Sequence, residues 1–169
     1  MSQNNAAQIL DPQMVELLTS HISIHVASST DQNQVSLVRG VGCRVNARHD
    51  RITILVPRSQ AEPVLRSIAK NGRIAAVFNQ PETYRTVQFK GVDAQVENAT
   101  AEDIAALPAY LRSFSERLLK YGVKEIYVHT LCGCEADDMA AISFSPLAAY
   151  LQTPGAEAGC KLPLGRPLP

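Results

Sequence analysis

The chain has 169 residues, 46% of them hydrophobic, with 16 Lys plus Arg against 16 Asp plus Glu and a formal net charge of zero. That length fits one domain around a single core, and the missing basic excess argues against nucleic acid as a partner. No apolar run approaches the ~18 residues of a membrane span, and the opening MSQNNAAQ lacks the basic and apolar regions of a secretory signal.

The first element is a helix opened by Asp11-Pro12, where Asp caps the first turn and Pro takes the first helical position. Met14, Val15 and Leu18 form its apolar face. Residues 22–27 then alternate, with Ile22, Ile24 and Val26 apolar against Ser23 and His25, as in a half-buried strand. After a polar turn at 28–34, residues 35–45 alternate again, with Val35, Leu37, Val41, Cys43 and Val45 in one phase. A turn at 46–50 leads to a third strand at 52–56.

Residues 59–72 form the clearest helix, because Ala61, Val64, Leu65, Ile68 and Ala69 make one apolar stripe. Ser59 and Glu62 have capping-box spacing, Pro63 is expected in the first turn, and Gly72 ends the helix. Residues 73–79 read as a buried strand. In the next strand Val87 and Phe89 share one phase, whereas Val92, Ala94 and Val96 share the other. This slip at Lys90-Gly91 predicts a β-bulge at Gly91.

Thr100 and Asp103 have N-cap spacing for a helix that Pro108 is expected to divide. Leu111, Phe114, Leu118 and Tyr121 share its later face, and Gly122 stops it. A strand is expected at 125–131, followed by a Cys132-Gly133-Cys134 turn and a last strand near 141–144. The expected irregular termini are residues 1–10 and the Pro- and Gly-rich stretch 152–169. Roughly seven strands with antiparallel short-turn connections describe a mainly β single domain over 1–169, a small barrel with appended helices.

Residues 22–91 resemble the FMN-binding split β-barrel family of Greek-key type, typified by pyridoxamine 5'-phosphate oxidases. The resemblance rests on ordered features. A strand ISIHVASS precedes an R-x4-R/K strand, Arg39-Gly-Val-Gly-Cys-Arg44. The strand ITILVPR precedes a helix ending AKNGR. Finally IAAVFN precedes an R-x-V-x-x-x-G strand, Arg85-Thr-Val-Gln-Phe-Lys-Gly91. It implies an FMN-dependent oxidoreductase, a cytoplasmic homodimer with FMN in a groove shared by two subunits, and a small-molecule substrate or electron donor. The FMN contacts it implies fall on Arg39, Val41, Gly42 and Arg44, on Val56, Pro57 and Arg58, and on Thr86.

Chemistry supports several of these positions. A phosphate dianion needs forked cationic donors, which Arg supplies, and Arg39 interrupts an apolar phase where a lone charge is costly. Gly40 and Gly42 leave room for a bulge or for backbone contact with a flavin ring. Arg58 precedes a helix start, where N–H groups and the dipole favour an anion. Thr86 shares a face with Gln88, and both suit a flavin's pyrimidine edge. Where the family's oxidases carry an Arg-Lys pair this chain has Pro63-Val64, and their C-terminal Arg-x-His is missing. The resemblance therefore implies a divergent member rather than a true pyridoxamine phosphate oxidase. The alternative is a carrier or sensor that binds flavin or haem weakly or not at all.

No catalytic acid or base stands out. His129, Cys132, Cys134, Asp137 and Asp138 cluster in sequence, but a closed zinc site needs four ligands at recurring spacing, so no metal is expected. The four cysteines read as free thiols in a reducing cytosol.

Overall fold

The computed structural model describes residues 10–165; the sequence expectations for 1–9 and 166–169 lie outside them. Asp11 caps α1 (Pro12–Thr19) as the sequence implies, its carboxylate accepting from the Gln13 and Met14 N–H groups. Among the described residues ten strands follow, in two antiparallel sheets that do not close into one hydrogen-bonded barrel. Six of them, β1 (Ser23–Ser29), β2 (Val35–Gly40), β5 (Ile74–Gln80), β6 (Arg85–Gly91), β9 (Ala148–Leu151) and β10 (Lys161–Leu162), pair in the order β10-β9-β6-β5-β1-β2. The other four, β3 (Gly42–Val45), β4 (Ile52–Pro57), β7 (Gln95–Asn98) and β8 (Met139–Phe144), pair in the order β3-β4-β8-β7. The architecture is mainly β with four appended helices, a split barrel.

The inner faces of the sheets share one core. Ile24 and Phe78 of the larger sheet are 1% and 0% exposed, and Ile54 and Phe144 of the smaller sheet are 0% exposed. Three corners carry the chain between sheets: Gly40 to Gly42, Gly91 to Ala94, and Ser145 to Leu147. At the first, a Cβ on Gly40 would lie 2.8 Å from Ile24 Cγ2 and 2.9 Å from Ile54 Cγ2. Gly40 therefore makes room for core side chains, not for a ligand ring. At the second, the phase slip is a change of sheet rather than a bulge within one strand. A Cβ on Gly91 would meet Phe144 at 2.7 Å, Val92 turns out to solvent, and Ala94 donates to the Gly72 carbonyl.

Helix α2 (Arg58–Asn71) packs against β1 and β2 and ends at Gly72, whose φ of 66° is the left-handed cap that glycine adopts without strain. The expected capping box is absent. Ser59 N–H and Oγ both donate to Asp138, while Glu62 pairs with Arg66 one turn on. Pro63 lies inside the helix rather than in its first turn, and Ala69 is exposed, with Ser67 taking the buried place beside Ile68. Strand β5 buries one face only.

Helix α3 (Ala101–Leu119) has the predicted capping box of Thr100 and Asp103, and it runs unbroken through Pro108. The segment expected as a sixth strand is instead helix α4 (Glu125–Cys132), which follows α3 after a short turn and packs against it as a hairpin. Only Val128 and Cys132 are buried, four residues apart, so one helical face docks while Ile126, Tyr127 and Leu131 stay exposed. β-Branched and aromatic content favours a strand here; packing along α3 decides otherwise. The expected irregular tail contributes β10, which pairs with β9.

The Gly40 corner gives the first prediction. Gly40→Ala drives a methyl into two isoleucines and destabilises the fold by about 1–3 kcal/mol, measured as a lower midpoint in urea unfolding with the slope unchanged. A midpoint equal to wild type would show that the corner is not packed as described.

Candidate functional site

Arg39 is the last side chain before the Gly40 corner. In β2 the residues facing the core are Val38 and Gly40, so Arg39 shares the outward phase with Val35 and Leu37, which are 71% and 64% exposed. The apolar phase that Arg39 interrupts is therefore the outer one, and the Arg is not a core charge. Its register partner His25 sits beside it. Burial, and then the Arg39 charge, hold the His25 imidazole below its ordinary value, so it is neutral at pH 7.

Above this face the α3–α4 hairpin forms a wall. Between them lies a cleft of about 240 Å³, with Ser23, Arg39 and Asn79 on the sheet side and Phe114, Val128 and Cys132 on the helical side. Arg39 Nη1 donates to Ser23 Oγ at 3.1 Å. Among the described residues no carboxylate forms an ion pair with it. In the next cross-strand positions Asn79 Nδ2 donates to Thr86 Oγ1 at 2.7 Å, and Thr86 Oγ1 donates to the Tyr84 carbonyl at 2.8 Å. Gln88 lies on the same face, accepting from Gln152 Nε2 at 3.4 Å. Arg39, Thr86 and Gln88 thus share the outer face of the six-stranded sheet, but Thr86 and Gln88 stand on β6, three strands from Arg39 on β2, and do not line its cleft.

The other sequence-nominated residues lie elsewhere. Val41, Gly42 and Arg44 border a separate 150 Å³ recess beneath α3, which also holds Leu107 and Tyr110. Arg44 Nε donates to Asp103 at 2.8 Å, and the Asp103 side chain is only 3% exposed. Burial opposes ionisation of Asp103. The Arg44 and Thr100 hydrogen bonds outweigh that and hold its pKa below the usual carboxylate range. Tyr110 ties α3 to the corner, its hydroxyl donating to the Ile22 carbonyl at 3.0 Å with the Gly40 carbonyl 3.4 Å away. Val56 and Pro57 are interior, and the β4 backbone is flanked by both β3 and β8. Arg58 is exposed at the start of α2, where its Nη2 donates to Asn98 Oδ1 at 3.1 Å.

The Cys132-Gly133-Cys134 segment is the end of a helix and not a turn between strands. Cys132 is 1% exposed in the core, and burial pushes its thiol up, with Arg39 opposing in part. Among the described residues no group of three His, Cys, Asp or Glu side chains is placed to hold a metal ion. Sequence reading missed Ser23, Asn79 and the helical wall. The spacing of Val128 and Cys132 was the available sign of α4.

Chemically, the Arg39 cleft suits an anion. One guanidinium N–H is spent on a neutral hydroxyl, the Ser23 hydrogen is left to donate, and no carboxylate competes. A phosphate monoester such as that of FMN fits these donors.

No protein-family model matches the sequence, and no curated protein matches it. Solved structures do match. HupZ of Group A Streptococcus superposes with a TM-score of 0.53 at 15% identity, over 89% of this chain and 100% of that one. A Lactobacillus delbrueckii protein with a provisional pyridoxamine 5'-phosphate oxidase assignment superposes with a TM-score of 0.52 at 11% identity, over 89% of this chain and 99% of that one. The likeness is one of fold, and it agrees with a divergent sequence.

The Arg44–Asp103 pair predicts a pH dependence. Asp103→Asn removes an ion-pair partner and weakens the helix cap, costing about 1–2 kcal/mol at pH 7. Because the folded-state pKa is depressed, the wild-type advantage is fully present above the unfolded value of about 3.9. It falls away as pH drops through the folded value. Urea unfolding of both proteins at pH 7, 4 and 2.5 checks this, and an advantage undiminished between pH 7 and pH 2.5 would assign the effect to packing.

Proposed function

We propose that this chain is an FMN-binding flavoprotein that acts as a homodimer on a small-molecule electron donor or substrate. The observation that carries the reading is Arg39: a guanidinium without a carboxylate partner among the described residues, in a cleft beside Ser23 and Asn79. Arg39 holds the phosphate, with Ser23 donating a second hydrogen bond and Asn79 and Thr86 extending the polar row. Bound FMN supplies hydride and single-electron transfer, which no side chain of the chain provides. The fold likeness to the Lactobacillus protein and the ordered motifs of residues 22–91 support the same reading.

A homodimer completes the groove. The exposed apolar residues Tyr121, Ile126, Tyr127 and Leu131 on the hairpin are the kind of patch that a subunit contact covers. No helix among the described residues is long and apolar enough to cross a membrane. The reading places the protein in a reducing cytoplasm, with its cysteines as thiols.

A second reading, a carrier or sensor without tight flavin, is favoured by one observation. Helix α3 lies over the Val41–Arg44 strand, and Asp103 engages Arg44, so these residues are occupied without any ligand.

Absorbance of the protein after incubation with FMN and removal of free flavin by gel filtration separates the two, since a retained flavin band near ~450 nm is expected only for the first. Arg39→Ala weakens FMN by about 1.5–3 kcal/mol and leaves riboflavin affinity nearly unchanged; equal losses for both would remove Arg39 from the phosphate site. Sedimentation at micromolar protein is expected to give a dimer, and a monomer there counts against a shared groove.

A further inference from the structure

The charge of the six-stranded sheet is one-signed. Its strands contain Arg39, Arg85, Lys90 and Lys161 and not one Asp or Glu, although the whole chain is neutral. Register places Arg39 and Lys161 at opposite ends of one outward row, Arg39–His25–Val77–Gln88–Tyr150–Lys161. The neighbouring outward row reads Leu37–Ala27–Ala75–Lys90–Ala148. Arg73, at the rim of this face, is already paired with Asp31. Among the described residues Lys90 forms no ion pair; its ammonium sits 5.0 Å from the centre of the Tyr150 ring.

The second row contains a furrow. Ala27 and Ala75 are adjacent across two strands, and each presents a single methyl between the longer side chains of Leu37 and Lys90. Val35, Val92 and Leu147 stand around it, 71%, 61% and 64% exposed. The result is a trough of about 490 Å³ on the outer face, closed at one side by Lys90 and Tyr150. That volume lies in the range of small-molecule sites, which combine apolar walls with few polar groups.

We propose that this trough binds an aromatic monoanion, its rings on the Ala27–Ala75 floor and its carboxylate or sulfonate toward Lys90. Apolar walls select the ring, and the carboxylate-free sheet selects the sign of the charge. A second copy of this chain is a poorer occupant, since it would bring one carboxylate-free sheet against another and leave Arg39, Lys90 and Lys161 without an acid from the partner's strands to meet them. The site uses neither Arg39 nor the helical wall, so it stands independently of the FMN reading.

The test uses 1-anilinonaphthalene-8-sulfonate as the probe, titrated into the folded full-length protein and followed by fluorescence and calorimetry. One site per chain is expected. Ala75→Phe fills the floor and weakens the probe more than twentyfold. Lys90→Gln, an exposed change that leaves the fold alone, weakens it threefold to fivefold. Arg85→Gln, a cation of the same sheet outside the trough, leaves affinity within twofold. Equal affinity in wild type and Lys90→Gln, or no saturable binding, overturns the proposal. Sedimentation of Ala75→Phe closes the remaining route: conversion of a wild-type dimer to monomer would show that a subunit occupies the trough, and would also overturn it.

Discussion

Two sheets that share a core must exchange strands, and the turn from one to the other at Gly40–Val41–Gly42 is where the geometry of the molecule is decided. A regular strand through this point would carry residues 35–45 in one sheet. The absence of a Cβ at Gly40 lets Ile24 and Ile54 close over the corner from both sheets, and Tyr110 anchors α3 to its carbonyls. The consequence is that Arg39 and Arg44, five residues apart, belong to different sheets and different surroundings. Arg39 faces a cleft with a neutral partner; Arg44 is held by a buried carboxylate that also caps α3. One corner therefore separates a guanidinium with no carboxylate partner among the described residues from one held by a buried acid.

Local neutralisation accounts for several other cations. Arg51 is paired with Asp93, Arg73 with Asp31 and Arg117 with Glu82, each joining a strand end, turn or helix to its neighbour. Acids are spent in these contacts at the edges of the fold, and none stands in the strands of the six-stranded sheet. A neutral chain thereby acquires a positive face. The net charge of zero hides this local asymmetry, which only strand order and register bring out.

The sequence was most informative where alternation and capping agree. Asp11-Pro12, the Ile22–Ile24–Val26 phase, Gly72 and the Thr100–Asp103 box all appear where local chemistry puts them. It was misleading where tertiary packing outweighs local preference. The Val35–Leu37 phase is regular but faces out, because alternation gives a period and not which side is buried. Residues 125–131 have strand-like composition yet form a helix, since two residues four apart suffice to dock it on α3. The same error concealed the helical wall of the Arg39 cleft, so alternation singled out Arg39 while its cleft neighbours Ser23, Asn79 and Cys132 gave no such signal.

The two places proposed to accept an anion on the outer face differ in what would hold a ligand there. At Arg39 the cleft is partly closed by apolar helical side chains, and an effective dielectric near 20 makes a charge at 4 Å worth about 4 kcal/mol before desolvation. Binding there is governed by the anion, and a neutral analogue that lacks it loses most of the interaction. At the trough Lys90 is exposed to solvent, where a pair contributes about 0–1 kcal/mol, so apolar contact with the alanine floor must supply the remainder. Ring burial at roughly 25 cal/mol per Å² makes even 150 Å² worth about 4 kcal/mol, comparable with the whole Coulomb gain at Arg39. The charge at the trough therefore orients a ligand that shape retains, whereas at Arg39 the charge retains a ligand that the cleft walls orient. Salt distinguishes these regimes by physics alone, since screening over a Debye length of about 8–10 Å weakens the exposed contact far more than the enclosed one.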